Sequence, residues 1–203
     1  GAQRGDAGQH AGGSSFAGFG LLRQPRFGFG ALSIFLYVGA EVSIGSLIVN
    51  YLGQAHVLGL AEEAAGKLIA FYWGGAMVGR FIGSAVLRVV APGRLLAMVA
   101  VGAIVLIALS TGTSGAVAGY SLLAVGLMNA IMFPTIFSLA CEGLGPRAAD
   151  GSGIINVAIC GGAVVPLLTG MLVDASSLAI GLAVPAVCYA IIAAFGWSTA
   201  RTA

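Results

Sequence analysis

Long apolar runs with almost no charged residues constrain this chain more than any other feature. Between Phe27 and Ala61 the only formally charged residue is Glu41, and from Leu95 to Cys141 there is none. A bilayer core about 30 Å thick is crossed by roughly 20 helical residues, and both runs are long enough. The second run contains a Gly/Ser/Thr cluster at 111–115, which predicts a turn between two spans. The sequence therefore predicts an all-α membrane protein.

Six spans follow from the apolar runs and the polar turns between them. Only 8% of the residues are charged, against about 25% in ordinary soluble domains, and the mean hydropathy is +1.02. The first 26 residues, rich in Gly, Ser and Gln, are predicted to be a largely disordered cytoplasmic linker. The transmembrane domain is predicted at 27–200, with spans at about 29–52, 67–88, 94–111, 116–140, 151–173 and 178–199.

Basic residues predict the orientation of these spans. Arginines lie before span one, between spans two and three, between four and five, and after six, whereas Lys67 alone lies on the opposite side. By the positive-inside rule both ends face the cytoplasm, and an even span count agrees. The net charge of +2 gives no basic patch of the kind that binds nucleic acid. The three cysteines lack metal-ligand spacing, so no metal, cofactor or disulfide is predicted.

Glu41 is the first candidate functional residue. A carboxylate at the centre of a membrane helix costs about 2.5–3.5 kcal/mol on insertion scales, so it is expected to face a bundle interior or a wet cavity. Helical spacing places Tyr37, Glu41 and Gly45 on one stripe, and Ser43 with Asn50 on another. The alternative is a purely structural role, in which Glu41 pairs with a neighbouring helix.

Polar residues recur with a period of three spans. Spans one, two, four and five contain Glu41 with Asn50, Arg80, Asn129 and Asn156, whereas spans three and six have no charged, Asn, Gln or His residue. Pro134, Pro166 and the Gly161–Gly162 pair predict broken or bent helices in spans four and five. Repeated three-helix units with interrupted helices near mid-membrane are typical of secondary transporters. Gly75, Gly79 and Gly83 also predict a close helix contact in span two.

Four segments carry a resemblance to a known family. They are residues 37–51 (YVGAEVSIGSLIVNY), 71–84 (FYWGGAMVGRFIGS), 129–139 (NAIMFPTIFSL) and 151–166 (GSGIINVAICGGAVVP). Together they resemble the carboxyl-terminal half of the fucose-galactose-glucose:proton symporter family, within the major facilitator superfamily. The resemblance is strongest to the glucose/galactose branch. It implies one half of a twelve-span fold, built from two three-helix repeats.

The resemblance also implies function. The expected activity is proton-coupled uptake of a hexose such as glucose or galactose by alternating access, in a bacterial inner membrane. The expected partners are sugar, protons, the lipid bilayer and the missing amino-terminal half, which carries the main coupling carboxylates of the family. Carboxylate and amide side chains can hydrogen-bond sugar hydroxyls, and aromatic rings can stack on the C–H faces of a sugar. The candidate substrate residues are Glu41, Asn50, Tyr72, Trp73, Asn129, Phe133 and Asn156.

Sugar contact and gating are expected to use different residues. We predict that Glu41 and Asn129 face one cavity, and that Tyr72 and Trp73 either stack on the ligand or belong to an interfacial aromatic belt. A partly buried guanidinium needs an anionic or carbonyl partner, so Arg80 is predicted to contact Glu142 or Asp150 when the cytoplasmic side is closed. The candidate gating residues are Arg80, Arg88, Glu142 and Asp150.

Other function classes fit less well. The Gly112–Gly115 run matches the Gly-x-Ser-Gly motif of intramembrane serine proteases, but His10 and His56 are both predicted outside the spans, so no enzyme is expected. A six-span channel subunit lacks a filter-like segment. The remaining alternative is a major facilitator permease for another small polar solute.

Overall fold

Helices form every regular element in the described part of the chain. The computed structural model describes residues 17–201, which contain nine α-helices in six long segments. The segments are α1 (Pro25–Gly53), α2 (Glu62–Val86), α3 (Pro92–Gly112), α4 (Gly115–Asn129) with α5 (Met132–Cys141), α6 (Ala148–Ala158) with α7 (Gly161–Ala175), and α8 (Leu178–Gly181) with α9 (Ala183–Ala200). The predicted all-helical class is confirmed.

Five of the six segments are long and apolar enough to cross a membrane. The exception is α2, which has 25 residues but contains Glu62, Glu63, Lys67 and Arg80. At about 1.5 Å per residue its length is sufficient for a span. Its polar residues lower its hydropathy, so its membrane crossing stays a prediction.

The segment before α1 differs from the predicted linker. Ala17–Arg23 forms a 3-10 helix, and the Leu21 side chain is fully buried. Gly18 lies beside Ile154 of α6, so this short helix packs under the bundle. Burial of Leu21 stabilises this short helix, although the sequence of the segment shows no hydrophobic periodicity. The rest of the predicted linker, residues 1–16, lies outside the described residues.

The fourth and fifth segments are broken where the sequence predicts. α4 ends at Asn129 and α5 begins at Met132. Pro134 lies four residues after Ala130 and has no N–H to donate to the Ala130 carbonyl group. Between α6 and α7 the chain tightens, because Cys160 and Gly162 donate N–H bonds to carbonyls only three residues back. Both predicted breaks are therefore confirmed.

The sixth segment contains a break that the sequence analysis did not identify. α8 ends at Gly181 and α9 begins at Ala183. Pro185 lies four residues after Gly181 and cannot donate a hydrogen bond to its carbonyl, which is the same local cause as in the fourth segment.

Contacts between segments follow a twofold pattern. α1 packs on α7, α2 packs on α4, and α3 packs on α9. In segment numbers, the first contact joins segments one and five, the second joins two and four, and the third joins three and six. A twofold operation that exchanges segments 1–3 with segments 4–6 converts the first contact into the second and leaves the third unchanged. The six segments are thus two three-helix units, as predicted.

Glycines allow close approach at the contacts between the units. A Cβ atom on Gly79 would lie 2.6 Å from the Leu127 carbonyl oxygen, which confirms the predicted close face of α2. At the contact of α3 with α9, a Cβ on Gly93 would lie 2.7 Å from the Gly196 carbonyl oxygen. Neither site has room for a methyl group unless the helix backbones separate.

We expect Gly79→Ala to destabilise the purified protein by about 1–3 kcal/mol, because the added methyl group overpacks the contact of α2 with α4. Gly74→Ala is the matched control, since a Cβ there meets no atom within 4 Å. Thermal unfolding in detergent measures the difference. Equal midpoints for the two variants would show that the contact is looser than the structure indicates.

Candidate functional site

A cavity lies where the breaks in the fourth and fifth segments meet α1 and α2. Its volume is about 560 Å³, which is sufficient for a small polar solute. α1, α2 and the two helix breaks all contribute to its wall, so the interruptions predicted from the sequence border one space. The lining residues are Tyr37, Val38, Glu41, Trp73, Arg80, Ala130, Phe133, Pro134 and Ile159.

The cavity wall combines charge with aromatic surface. Glu41 is partly buried in the middle of α1, and Arg80 of α2 lines the same space. The rings of Tyr37 and Phe133 lie 6.2 Å apart between centroids, and Trp73 is 54% exposed on the α2 side. Hydrogen-bonding groups therefore lie beside apolar ring faces, which is an arrangement that suits a polyhydroxylated solute.

Tyr37 holds the carboxylate in place. Its hydroxyl group lies 2.9 Å from Oε1 of Glu41 and 3.2 Å from the backbone carbonyl oxygen of Asn129. The hydrogen bond to Glu41 joins two residues that are four apart on the stripe predicted from helical spacing. Tyr37 was not among the substrate residues predicted from the sequence. The bond to Asn129 ties α1 to the end of α4.

Asn129 occupies a different position from the one predicted. Its side chain is only 1% exposed, and its amide group lies between two tyrosines. Nδ2 donates to the Tyr72 hydroxyl at 2.8 Å, and the Tyr189 hydroxyl donates to Oδ1 at 2.7 Å. Both tyrosines are fully buried. Asn129 therefore fixes the end of α4 beside the cavity, while its neighbour Ala130 contributes to the lining.

The two adjacent aromatic residues of α2 have separate roles. The Tyr72 and Trp73 rings meet edge to face at 5.3 Å between centroids. Tyr72 turns inward to Asn129, whereas Trp73 lines the cavity. Neighbouring helical residues point about 100° apart, and this places one ring in the core and the other on the cavity wall.

Two more of the predicted substrate residues, besides Tyr72 and Asn129, lie outside the cavity lining. Asn50 is exposed near the end of α1, and Asn156 is exposed on α6 close to its break. Neither lines the space that holds Glu41. Helical spacing predicts the face of one helix, but the position of that face relative to the other helices was not available from the sequence.

The predicted partners of Arg80 are engaged elsewhere. Glu142 pairs with Arg26, which also donates from Nε to the Leu139 carbonyl oxygen at 3.0 Å, and Asp150 pairs with Arg147 at 3.8 Å. Arg80 instead lines the cavity. The structure therefore shows both carboxylates paired with other arginines. The contact of Arg80 with Glu142 or Asp150 was predicted for the state closed on the cytoplasmic side, and it stays a prediction. Arg88, the other candidate gating residue, is exposed beyond the end of α2.

The Gly-x-Ser-Gly run forms the predicted turn. α3 ends at Gly112, and Gly115 begins α4 with φ of +67°, a conformation that glycine adopts without strain. The Gly115 N–H donates to the His56 carbonyl oxygen at 2.9 Å. The run connects two helices and packs against the loop after α1.

Comparisons with known proteins place this architecture among transporters. No family model matches the chain. It is 53% identical over 167 residues to a glucose/galactose transporter of Brucella abortus, covering 82% of this chain and 40% of that protein. It is 45% identical to a putative glucose/galactose transporter of Helicobacter pylori, covering 83% and 42%. It is 31% identical to the L-fucose-proton symporter of Escherichia coli, covering 90% and 42%.

Solved structures agree with these relatives. A crystal structure of the Escherichia coli fucose:proton symporter superimposes with a TM-score of 0.85 at 28% identity, over 92% of this chain and 45% of that one. A second structure, of a major facilitator superfamily transporter in the outward conformation, gives the same TM-score at 29% identity and covers 90% and 44%. The chain thus spans less than half the length of the proteins it matches. Sequence identity, helix order and the twofold arrangement of helices together show that the chain belongs to the major facilitator superfamily, among its glucose/galactose and fucose transporters.

Proposed function

We propose that the chain is the carboxyl-terminal half of a proton-coupled hexose transporter. The observation that carries the proposal is the cavity in which Glu41, Arg80 and three aromatic rings lie beside both helix breaks. Relatives named glucose/galactose transporter make glucose or galactose the first candidates. In this proposal the amino-terminal half covers the open face of the cavity.

Each cavity group has a role in sugar recognition. The Glu41 carboxylate accepts hydrogen bonds from sugar hydroxyls, and the Arg80 guanidinium donates to sugar oxygens. Trp73 and Phe133 offer ring faces to the apolar C–H surface of a pyranose. Asn129 is assigned a positioning role, because both ends of its amide already have tyrosine partners.

Transport requires the cavity to open alternately to each side of the membrane. The broken fourth and fifth segments, which border the cavity, supply places where short helices can tilt without loss of regular hydrogen bonds along the whole span. The proposed orientation has both ends of this segment in the cytoplasm of a bacterial cell, with the spans in its inner membrane. In that orientation the Arg26–Glu142 pair, which joins the start of α1 to the end of α5, lies on the cytoplasmic side.

Uptake by cells that express the intact transporter tests the proposal. We expect accumulation of labelled glucose or galactose that a protonophore abolishes. We also expect quenching or enhancement of Trp73 fluorescence by the same sugar in a background where every other tryptophan of the intact transporter, including Trp197, is replaced by phenylalanine. Trp197 is a suitable residue to remove, because it lies on α9 against Arg201 and does not line the cavity. Uptake that persists without a proton gradient would contradict coupled transport, and sugar-insensitive Trp73 fluorescence would contradict the assigned site.

Arg80 supports a second candidate substrate class. An acid and a base in one cavity also suit a solute that carries both charges, or a sugar with a carboxylate group. Competition against labelled hexose by amino sugars, sugar acids and amino acids separates the candidates. Stronger inhibition by a charged solute than by glucose and galactose would favour a permease for that solute.

A further inference from the structure

The hydroxyl group of Tyr37 has one hydrogen and two acceptors. It lies 2.9 Å from the Glu41 carboxylate and 3.2 Å from the Asn129 carbonyl oxygen. A tyrosine hydroxyl donates one hydrogen bond, and an ionised carboxylate and a carbonyl group both only accept. The two acceptors therefore compete for the same hydrogen.

The Asn129 carbonyl lies at a position where a hydrogen bond affects helix geometry. Asn129 is the last residue of α4, so its carbonyl is among those at a helix end that need a partner from outside the helix. The next helix, α5, begins at Met132 and carries Phe133 into the cavity. A stronger bond from Tyr37 to this carbonyl would draw the end of α4 toward α1 and change where Phe133 lies.

We propose that Tyr37 couples sugar binding at Glu41 to the bend between α4 and α5. When no sugar is bound, the carboxylate attracts the Tyr37 hydrogen. When sugar hydroxyls donate to Glu41, they satisfy the carboxylate, and the Tyr37 hydrogen turns to the Asn129 carbonyl. This inference rests on the proposed function and assigns Tyr37 as a positioning residue that acts through Glu41 and Asn129.

The packing around Tyr37 supports a shift of the hydrogen with little movement of the ring. The Tyr37 side chain is 4% exposed, and its ring contacts Phe133. The Asn129 side chain is held by the Tyr72 and Tyr189 hydroxyl groups, so its backbone carbonyl, not its amide, is free to respond to Tyr37. A choice between two acceptors within 3.2 Å needs only rotation of the O–H bond.

Thiol labelling at the end of α5 tests this coupling in the intact transporter. Cys141 is the last residue of α5 and is partly exposed, so with the other cysteines replaced by serine its labelling rate reports movement of α5. We expect galactose or glucose to change that rate about fivefold or more in the parent protein. In Tyr37→Phe we expect sugar affinity to stay within about fivefold, sugar-dependent labelling to disappear and the transport rate to fall at least tenfold.

Tyr51→Phe is the matched control for loss of a buried hydroxyl group. Tyr51 lies on the same helix, is 1% exposed, and its hydroxyl group donates to the Ser110 carbonyl oxygen at 2.8 Å, away from the cavity. It should retain sugar-dependent labelling. Retention of this labelling by Tyr37→Phe, or an equal loss in both variants, would overturn the proposal.

Glu41→Gln gives a second readout that does not remove a buried hydroxyl group. A neutral amide attracts the Tyr37 hydrogen less than a carboxylate does, so sugar-free Glu41→Gln should label at Cys141 like the sugar-bound parent. Labelling like that of the sugar-free parent would overturn the coupling even if Tyr37→Phe does not fold. If Glu41→Ala binds sugar normally, the assigned binding site fails instead, and this result is distinct from failure of the coupling.

Discussion

Replacement of Glu41 by alanine in the intact transporter is expected to lower sugar affinity by about 10- to 100-fold. Among the described residues the carboxylate is the one acidic group in the cavity wall, and hydrogen bonds to a charged group contribute about 1.5–3 kcal/mol each. A loss of about 1.4 kcal/mol is tenfold in affinity. Sugar binding to purified protein, measured by calorimetry or by Trp73 fluorescence, gives the value directly.

Two further variants complete this experiment: Glu41→Gln, which removes only the charge, and Glu63→Ala, which is the control. Glu41→Gln keeps the size and most of the hydrogen-bonding capacity, so its affinity should lie between those of the parent and the alanine variant. Glu63 is an exposed carboxylate at the start of α2, paired with Lys67, and Glu63→Ala should bind sugar as the parent does. Unchanged affinity in Glu41→Ala would mean that the carboxylate only satisfies its helical neighbour Tyr37.

Replacement of Asn129 by leucine is expected to destabilise this half strongly. It leaves the hydroxyl groups of Tyr72 and Tyr189 buried without their partner, at a cost of about 1–3 kcal/mol for each group. For a protein of this size that corresponds to a fall of about 5 °C or more in the thermal midpoint. Thermal unfolding in detergent measures the fall in the midpoint, and transport in cells measures its effect on activity.

Two further variants test whether the loss of stability comes from the buried hydroxyl groups or from the asparagine-to-leucine change itself. Asn50→Leu places the same substitution at an exposed position of α1 and should leave the midpoint nearly unchanged. Addition of Tyr72→Phe and Tyr189→Phe to the Asn129→Leu variant should restore much of the lost stability, because the two tyrosine hydroxyl groups that lost their partner are then removed. If the triple variant is as unstable as Asn129→Leu, the tyrosine–asparagine hydrogen bonds are not the cause.

Much of the architecture follows from local sequence features. Hydropathy locates the long helical segments, since a bilayer core requires a minimum apolar length. Pro134 indicates the break in the fourth segment, because the loss of an N–H donor acts within one helical turn. The Gly161–Gly162 pair indicates the break in the fifth segment, whereas α7 continues through Pro166. The depth of Glu41 in α1 also indicates a wet cavity, since a carboxylate at that depth is costly next to lipid. The same local rule would have identified the break before Pro185.

The arrangement of the site depended on the tertiary structure. Helical spacing gives the faces of one helix, but the contact between faces of different helices depends on how the helices are rotated and offset when they pack. For this reason the sequence placed Glu41 and Asn129 near each other without showing that Tyr72 and Tyr189 occupy the amide of Asn129. Arg80 likewise lines the cavity with Glu41, because α2 packs with its glycine face on α4 and turns the arginine toward α1.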